Sequence, residues 1–563
     1  LKIKNRVMKK LNKSSLIIFI TLIAIFIISQ FVYTRIDMTK DKRFTLTSTT
    51  EKLVENVKQP LKIEVLLGGD LTGDYRILKN EIQFLLGELR EKNNNISYSF
   101  VDPIDLGQAE LQENKLAPVP IKTDKGVLNV YPYAKITYGG KSTFMEVLVN
   151  DPSISFDELA IASTEKLEYL FAEKIQKATN FNRKRIGFIV HHDELPEANI
   201  QGLGRALSEK YDVEIYLNPI ANKSFTLQPS DLDSLKRFDA LIDAKPTLPF
   251  TDMDKLVLDQ YVMNGGKLMM ALETVDADMD SIFRSGKIVA FPRDLKINDF
   301  LFNYGVRIHP AVIKDLNGAQ IVLADGETAG NTSYNYYTWP YFELGVKGEK
   351  NPITSSIDPV LFQFANPIEL LKNPNVKQTV LLSTSPQTTL KPALNFIELN
   401  EVDINDTEEY KMGKIPMAVL LEGNFNSAYS MRYERKEFPN FKAKTTDGKM
   451  IVISDGDVLK NSLWRGVPMQ LGENKFSVRP DNPDGKPKTY ANQTFAMNAM
   501  DYLLGDADFL ALRNRKLEIP LLSETVVLQE KSTWQMINIL VPSAIIILLG
   551  GIGFWLRKKR FAK

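Results

Sequence analysis

The chain has 563 residues, no cysteine, three histidines and a formal charge of +1. The missing cysteines exclude disulfides, thiolate metal sites and cysteine nucleophiles, and near-neutrality gives no bulk electrostatic case for nucleic acid. Hydrophobic residues at 44% and charged residues at 25% are ordinary globular values, and the length predicts about three to four domains.

Residues 1–15 form a basic tail with Lys2, Lys4, Arg6, Lys9, Lys10 and Lys13. The apolar run that follows predicts a transmembrane helix over 16–33. A signal peptide is the rival reading, but Ile28-Ser29-Gln30-Phe31-Val32 offers no small-x-small cleavage site, so an uncleaved anchor is expected. Residues 34–180 read as an α+β domain. Leu61–Leu67 predicts a strand, Tyr75–Glu91 a helix with Ile77, Ile82, Leu85, Leu86 and Leu89 inward, and Ile96–Val101 a strand. Strands are then expected at Val127–Val130, Tyr133–Tyr138 and Thr143–Leu148, with Gly139-Gly140 as a hairpin turn. This βαβ then ββ order resembles a thioredoxin-like fold. That fold's redox Cys-x-x-Cys is missing, so a binding or structural module is expected. Leu167–Ala178 predicts a connecting helix.

Residues 181–515 read as a second, α/β domain. Ile186–Val190 predicts a strand, Ile200–Lys210 a helix and Val213–Leu217 a strand. The clearest unit is FDALIDAKPTLPFTDMDKLVLDQYVMNGGKLMMALE, residues 238–273. Asp239–Ala244 predicts a strand, and Pro246 and Pro249 a loop. Thr251 with Asp254 forms a capping box for a helix carrying Met253, Leu256, Val257 and Tyr261. Asn264-Gly265-Gly266 ends that helix, and Lys267–Leu272 predicts a second strand. Short strands alternating with helices indicate a doubly wound, flavodoxin-like sheet. Lys296–Tyr304 predicts a further helix. A β-rich insertion spans about 315–445, with strands at Val380–Ser385 and Met417–Glu422, a loop at Asn424–Ser430 and a solvated acidic loop at Glu401–Glu409. Its aromatic cluster, Tyr334, Tyr336, Tyr337, Trp339, Tyr341 and Phe342, reads as core with hydroxyls at the rim; a stacking surface for sugar or peptide is the alternative. Lys449–Ser454 returns to the buried-strand type, and Asn492–Leu504 predicts an amphipathic helix. Residues 516–533 read as a linker, 534–556 as a second transmembrane helix flanked by Trp534 and Trp555, and 557–563 as a basic tail. Basic clusters beyond both spans predict cytoplasmic termini and a large body outside, in the periplasm of a diderm bacterium.

Ligands of doubly wound sheets bind at the carboxyl ends of the strands. The candidates there are His192, Asp193, Glu194, Glu273, Asp455 and Asp457, with His191, Asp276 and Asp278 nearby. Imidazoles and carboxylates suit a divalent metal. Turns with capping carboxylates and a site for a peptide or polymer end are the other readings. No phosphate-binding Gly-x-x-x-x-Gly-Lys-Ser/Thr loop and no Gly-x-Ser-x-Gly elbow is present, so the chain is not expected to be an ATPase or a serine hydrolase.

RIGFIVHHDELPE, the 238–273 unit, INDFLFNYGVRI, IVISDGDVLKN and NQTFAMNAMDYLLGD, in that order between two anchors, resemble the gliding-motility-associated ABC-transporter auxiliary family, GldG. Relatives tend to carry a Gly-His-Gly-Glu type turn where this chain has His191-His192-Asp193-Glu194. The resemblance implies a Bacteroidota inner-membrane protein without enzymatic activity or cofactor. It also implies a permease and a separate ATPase as partners, and a class I glutamine-amidotransferase-like central domain also found in an intraflagellar-transport protein. Gliding-motility envelope proteins are further expected partners; an ATP-independent scaffold, or a metal-dependent hydrolase using His192, Asp193 and Asp455, are the alternatives.

Overall fold

The computed structural model describes residues 45–69, 71, 73–123, 126–149, 156–179, 183–217, 226–328, 331–402, 407–430, 440–482, 484–513 and 524–561, together with Thr21. Apart from Thr21, the expected helix over 16–33 lies outside the described residues.

Within the unit Leu46–Arg515, the amino-terminal part holds a four-stranded sheet. Its strands are β1 (Leu61–Val65) and, after helix α1 (Gly73–Lys92), β2 (Ile96–Phe100), parallel to β1. A hairpin of β3 (Val119–Thr123) and β4 (Gly126–Val130) stands apart. Then β5 (Tyr133–Tyr138) pairs antiparallel with β1, and β6 (Lys141–Glu146) with β5. The alternation of Leu61, Ile63 and Val65 sends those side chains into the core. Helix α1 answers with Tyr75, Leu78, Ile82, Leu86 and Leu89. Ile77, expected inward, is 44% exposed; Leu78 takes the inward place one step around the helix. Strand β3 runs through Pro120, which an isolated hairpin tolerates because no second neighbour needs the missing N–H. Helix α2 (Leu167–Thr179) buries Phe171 and Ile175 in this core.

The second part is built on a ten-stranded sheet among the described residues. Its parallel strands are β7 (Arg185–Val190), β8 (Asp212–Leu217), β9 (Ala240–Ala244), β10 (Lys267–Ala271) and β15 (Lys444–Ile453), lying in the order β8–β7–β9–β10–β15. Numbered along the chain this is 2-1-3-4-5, the order of one class of doubly wound sheets. Between β10 and β15 the chain makes β11 (Gly318–Thr328), β12 (Asn331–Lys347), β13 (Val376–Ser383) and β14 (Pro416–Asn426). These, with the short strand Val360–Leu361 on β12, extend the same sheet beside β15 as antiparallel neighbours. The insertion is therefore a continuation of the sheet rather than a separate layer.

Period-2 alternation divides the interior into two cores. Ile242, Met269 and Ile451 face helices α3 (Glu197–Ser208) and α7 (Asn492–Leu503), whereas Leu241, Met270 and Val452 face α4 (Asp252–Met263) and α6 (Asn298–Asn303). The expected capping box of α4 is formed: Thr251 Oγ1 accepts from Asp254 N at 3.3 Å, and Asp254 Oδ2 accepts from Thr251 N at 2.7 Å. Helix α4 is buried almost all round, not on one stripe. Its Asp259 accepts from Tyr304 Oη (2.7 Å), Ser427 Oγ (2.6 Å) and Ala428 N (2.9 Å). Residues 424–426 continue β14, with Phe425 opposite Thr445 and Asn426 opposite Lys444 of β15, so the expected loop begins later. Gly266 follows the helix because Tyr261 folds back over it: a Cβ there would meet the ring at 2.3 Å.

In the insertion Trp339, Tyr341 and Phe342 are buried and Tyr336 is exposed on the outer half of β12. Glu401 departs from the solvated loop expected of it. It is half-buried and paired to Lys314 (2.8 Å), Lys391 (2.6 Å) and Tyr341 Oη (2.7 Å), and despite burial these partners hold its carboxyl down at about 2. Helix α8 (Ala507–Arg513) joins the two parts by packing Phe509 and Leu512 on Ala172 of α2.

The last described element is helix α9 (Glu524–Phe561). Within Glu530–Lys559 an 18-residue window has mean hydropathy 2.3, and the stretch is long and apolar enough to cross a membrane by length and composition. Among the described residues it is the one such helix.

Candidate functional site at the carboxyl ends of the parallel strands

Two clusters form where β7, β9, β10 and β15 end. The first lies at the β7/β9 junction, the switch point of a 2-1-3-4-5 sheet. As β7 ends, the chain turns through His191, His192, Asp193 and Glu194. Asp193 takes a left-handed φ of 53°, and Glu194 Oε2 accepts from the backbone N–H of His191 (2.7 Å) and His192 (2.8 Å). The carboxylate thus ties its own turn. His192 lies between Glu194 (Nδ1 to Oε1, 3.5 Å) and Asp254 (Nε2 to Oδ2, 3.2 Å), with Phe250 stacked on its ring at 4.0 Å. Burial opposes its protonation, but the two carboxylates win and raise its pKa to about 9. His191 is lowered, chiefly by burial. Asp243, next to last in β9, is wholly buried, and neither oxygen is hydrogen-bonded among the described residues. Burial and then Glu194 push its carboxyl well above the usual range.

The second cluster lies at the ends of β9, β10 and β15. Single oxygens of Glu273, Asp455 and Asp457 lie within 4.8 Å of one another. Spacing of that kind suits a divalent cation, yet the cation is supplied by the chain. Lys245 Nζ stands 2.8 Å from Glu273 Oε1 and 2.7 Å from Asp457 Oδ2. Lys460 adds a contact to Asp457 Oδ1 at 2.9 Å, and Arg293 one to Glu273 Oε2 at 3.0 Å. Burial alone would raise Asp457, but Lys245 and Lys460 hold it below the usual range. Burial raises Asp455 well above it, helped by Asp457 and Glu273. Asp455 spends both oxygens on the backbone, accepting from Asp457 N (2.7 Å) and Gln363 N (2.6 Å). Lys245 has a left-handed φ of 59°, and a Cβ on Gly456 would meet Lys245 Cβ at 2.3 Å; only glycine lets the two loops approach this closely.

Of the residues read from sequence, His192 and Glu194 join in the first cluster and Glu273, Asp455 and Asp457 in the second. Asp193 is exposed and accepts from Thr247 Oγ1 at 2.8 Å. The combination His192, Asp193 and Asp455 does not form a metal-ligating group among the described residues. Asp278 caps helix α5 (Met279–Ser285) by accepting from Ser281 N at 2.9 Å, and Asp276 pairs with Arg293. Missed by sequence reasoning were Lys245, Arg293, Asp243 and the second role of Asp254. A carboxylate inside the apolar run Ala240–Ala244 was the one available signal.

Residues 183–499, more than half of the chain, match the family model described as "ABC-type uncharacterized transport system", and 40–137 match a domain of unknown function. An uncharacterized protein of Borreliella burgdorferi is 20% identical over 543 residues, covering 93% of this chain and 94% of that protein. Two solved structures align at low score. The mmIFT52 N-terminal domain has a TM-score of 0.30 and 14% identity, over 57% of this chain and 98% of that one. A ThuA-like protein from Parabacteroides merdae has a TM-score of 0.27 and 10% identity, over 57% and 90%. The chain belongs to the family of auxiliary components of ABC-type transport systems.

Proposed function

We propose that the protein is a non-catalytic, membrane-anchored subunit of an ABC transport complex linked to gliding motility. Its body faces the periplasm, contacts the permease and binds an envelope substrate or motility partner. Both termini lie in the cytoplasm beside a separate ATPase. The fold reading behind this joins a cysteine-free thioredoxin-like module to an amidotransferase-like sheet, between two spans.

One observation carries the non-catalytic reading. At the strand ends, where doubly wound enzymes hold reactive groups, Lys245 lies between Glu273 and Asp457. The charges there are committed to one another rather than to a ligand. Helix α9 supports the anchoring, and family membership supports the transport setting.

The test is a mild-detergent pull-down of tagged protein from native membranes, with mass spectrometry of the co-purifying proteins. Recovery of a permease and an ATPase is expected. Recovery of motility or secretion components without either would overturn the transporter reading in favour of an ATP-independent scaffold.

A further inference from the structure

We propose that a groove on the insertion side of the body binds a saccharide carrying a carboxylate. The groove lies between α5, the short strand Leu463–Trp464 and the segment after Asn474, and encloses about 660 Å³. That lies within the roughly 300–1,000 Å³ typical of small-ligand sites. Its wall is aromatic. Phe283 and Phe476 stack with centroids 4.9 Å apart and planes 28° from parallel. Phe283 remains 38% exposed and Trp464 36% exposed. Three large rings left partly in water around one hollow form an apolar surface that folding has not covered.

Two polar groups on the same lining are uncommitted. The Trp464 indole makes no hydrogen bond among the described residues, and Arg284 makes only one, from Nε to the Asp280 carbonyl of its own helix, and no ion pair. The lysine beside them is already used: Lys475 Nζ sits 2.7 Å from each Asp280 oxygen. The groove therefore presents one net positive charge, on a guanidinium fork whose geometry matches a carboxylate. A pyranose ring offers what the rest of the lining asks for. Its C–H face covers an aromatic plane, and its hydroxyls accept from an indole N–H. A wholly apolar ligand or a neutral sugar would leave Arg284 without its counter-charge. The stacking surface thus falls on Phe283, Trp464 and Phe476, not on the Tyr334–Phe342 run.

This names the substrate class of the external body and so builds on the proposed function. Its test uses purified full-length chain in detergent, without permease or ATPase, and fails separately from the pull-down. Oligogalacturonate, maltohexaose and an acidic proline-containing peptide are titrated against tryptophan emission and by calorimetry. Trp464 is the natural reporter, since Trp339 is buried and Trp534 and Trp555 lie on helix α9, outside the groove. Oligogalacturonate should shift the emission and bind at least tenfold more tightly than maltohexaose. Arg284→Gln should weaken it at least tenfold, with unchanged binding of maltohexaose and an unchanged melting temperature, because Arg284 is exposed. Trp464→Ala should abolish the emission change and weaken binding by calorimetry. Equal affinity for the neutral sugar, indifference to Arg284→Gln, absence of binding at millimolar oligogalacturonate, or preference for the peptide would each overturn the proposal.

Discussion

The two strand-end clusters lie side by side on one sheet edge, yet they handle buried charge in opposite ways. Around Lys245 each carboxylate named has a cation or a backbone N–H within reach. Around His192 one carboxyl, Asp243, has no hydrogen-bond partner among the described residues. The first cluster behaves as a rivet between β9, β10 and β15, stable because each charge is answered. The second stores an unfavourable group at the switch point, and its ionisation is set by protons rather than by fixed partners. Pairing, rather than burial, separates a structural charge from a titrating one.

Breaking the rivet gives the largest expected effect. Lys245→Met leaves Glu273 and Asp457 buried without their shared cation, a loss of about 3–5 kcal/mol. Denaturant midpoints of the full chain in detergent measure it; a loss below about 1 kcal/mol would mean that the carboxylates do not depend on the lysine. The His192 cluster gives the next effect. The folded pKa of about 9 stands above the unfolded value, so the stabilisation is complete below about pH 6.5 and is lost as pH rises through 9. The linked change is roughly 3 kcal/mol. Asp243 acts with the same sign, because a raised carboxyl favours the folded state only while protonated. His192→Gln should flatten the fall in melting temperature between pH 6.5 and 9, and Asp243→Asn should outlast the native chain increasingly as pH rises. Equal slopes in all three proteins would erase the distinction between the clusters. Gly456→Ala forces the two loops apart at a cost of about 1–3 kcal/mol, read by the same midpoints. Smallest is Thr251→Ala, about 1 kcal/mol from the lost cap. It should also lower the pKa of His192 slightly, observable by NMR titration, since Asp254 loses the hydroxyl that orients it.

Local chemistry was legible in the sequence and long-range chemistry was not. Thr251 and Asp254 are three residues apart, and their reciprocal bonds follow from spacing alone. That the same Asp254 faces His192 requires β7 and β9 to be neighbours. Lys245 read as an ordinary polar residue of a proline-rich loop. Its role appears only when three strands bring Glu273 and Asp457 to it. The miss at Ile77 is of another kind: Ile77 and Leu78 are equally apolar, and packing against the sheet chose between them. Glu401 misled for the converse reason, since Lys314 and Lys391, which draw it inward, are supplied from separate strands.

The adjacency of β10 and β15 carries a kinetic consequence. The two strands pair residue for residue, Leu268 with Met450 and Ala271 with Ile453, yet the chain between them builds five further strands of the sheet. Closing so long a loop comes before any reward from that pairing, which slows folding. During synthesis Lys245 and Glu273 emerge well before Asp455 and Asp457. The amino-terminal four strands of the parallel series must therefore wait with β10 unpaired on one side, and the rivet closes only after the insertion has been made. Refolding should show a slow phase that reports on the insertion, with the early phase belonging to β7 through β10.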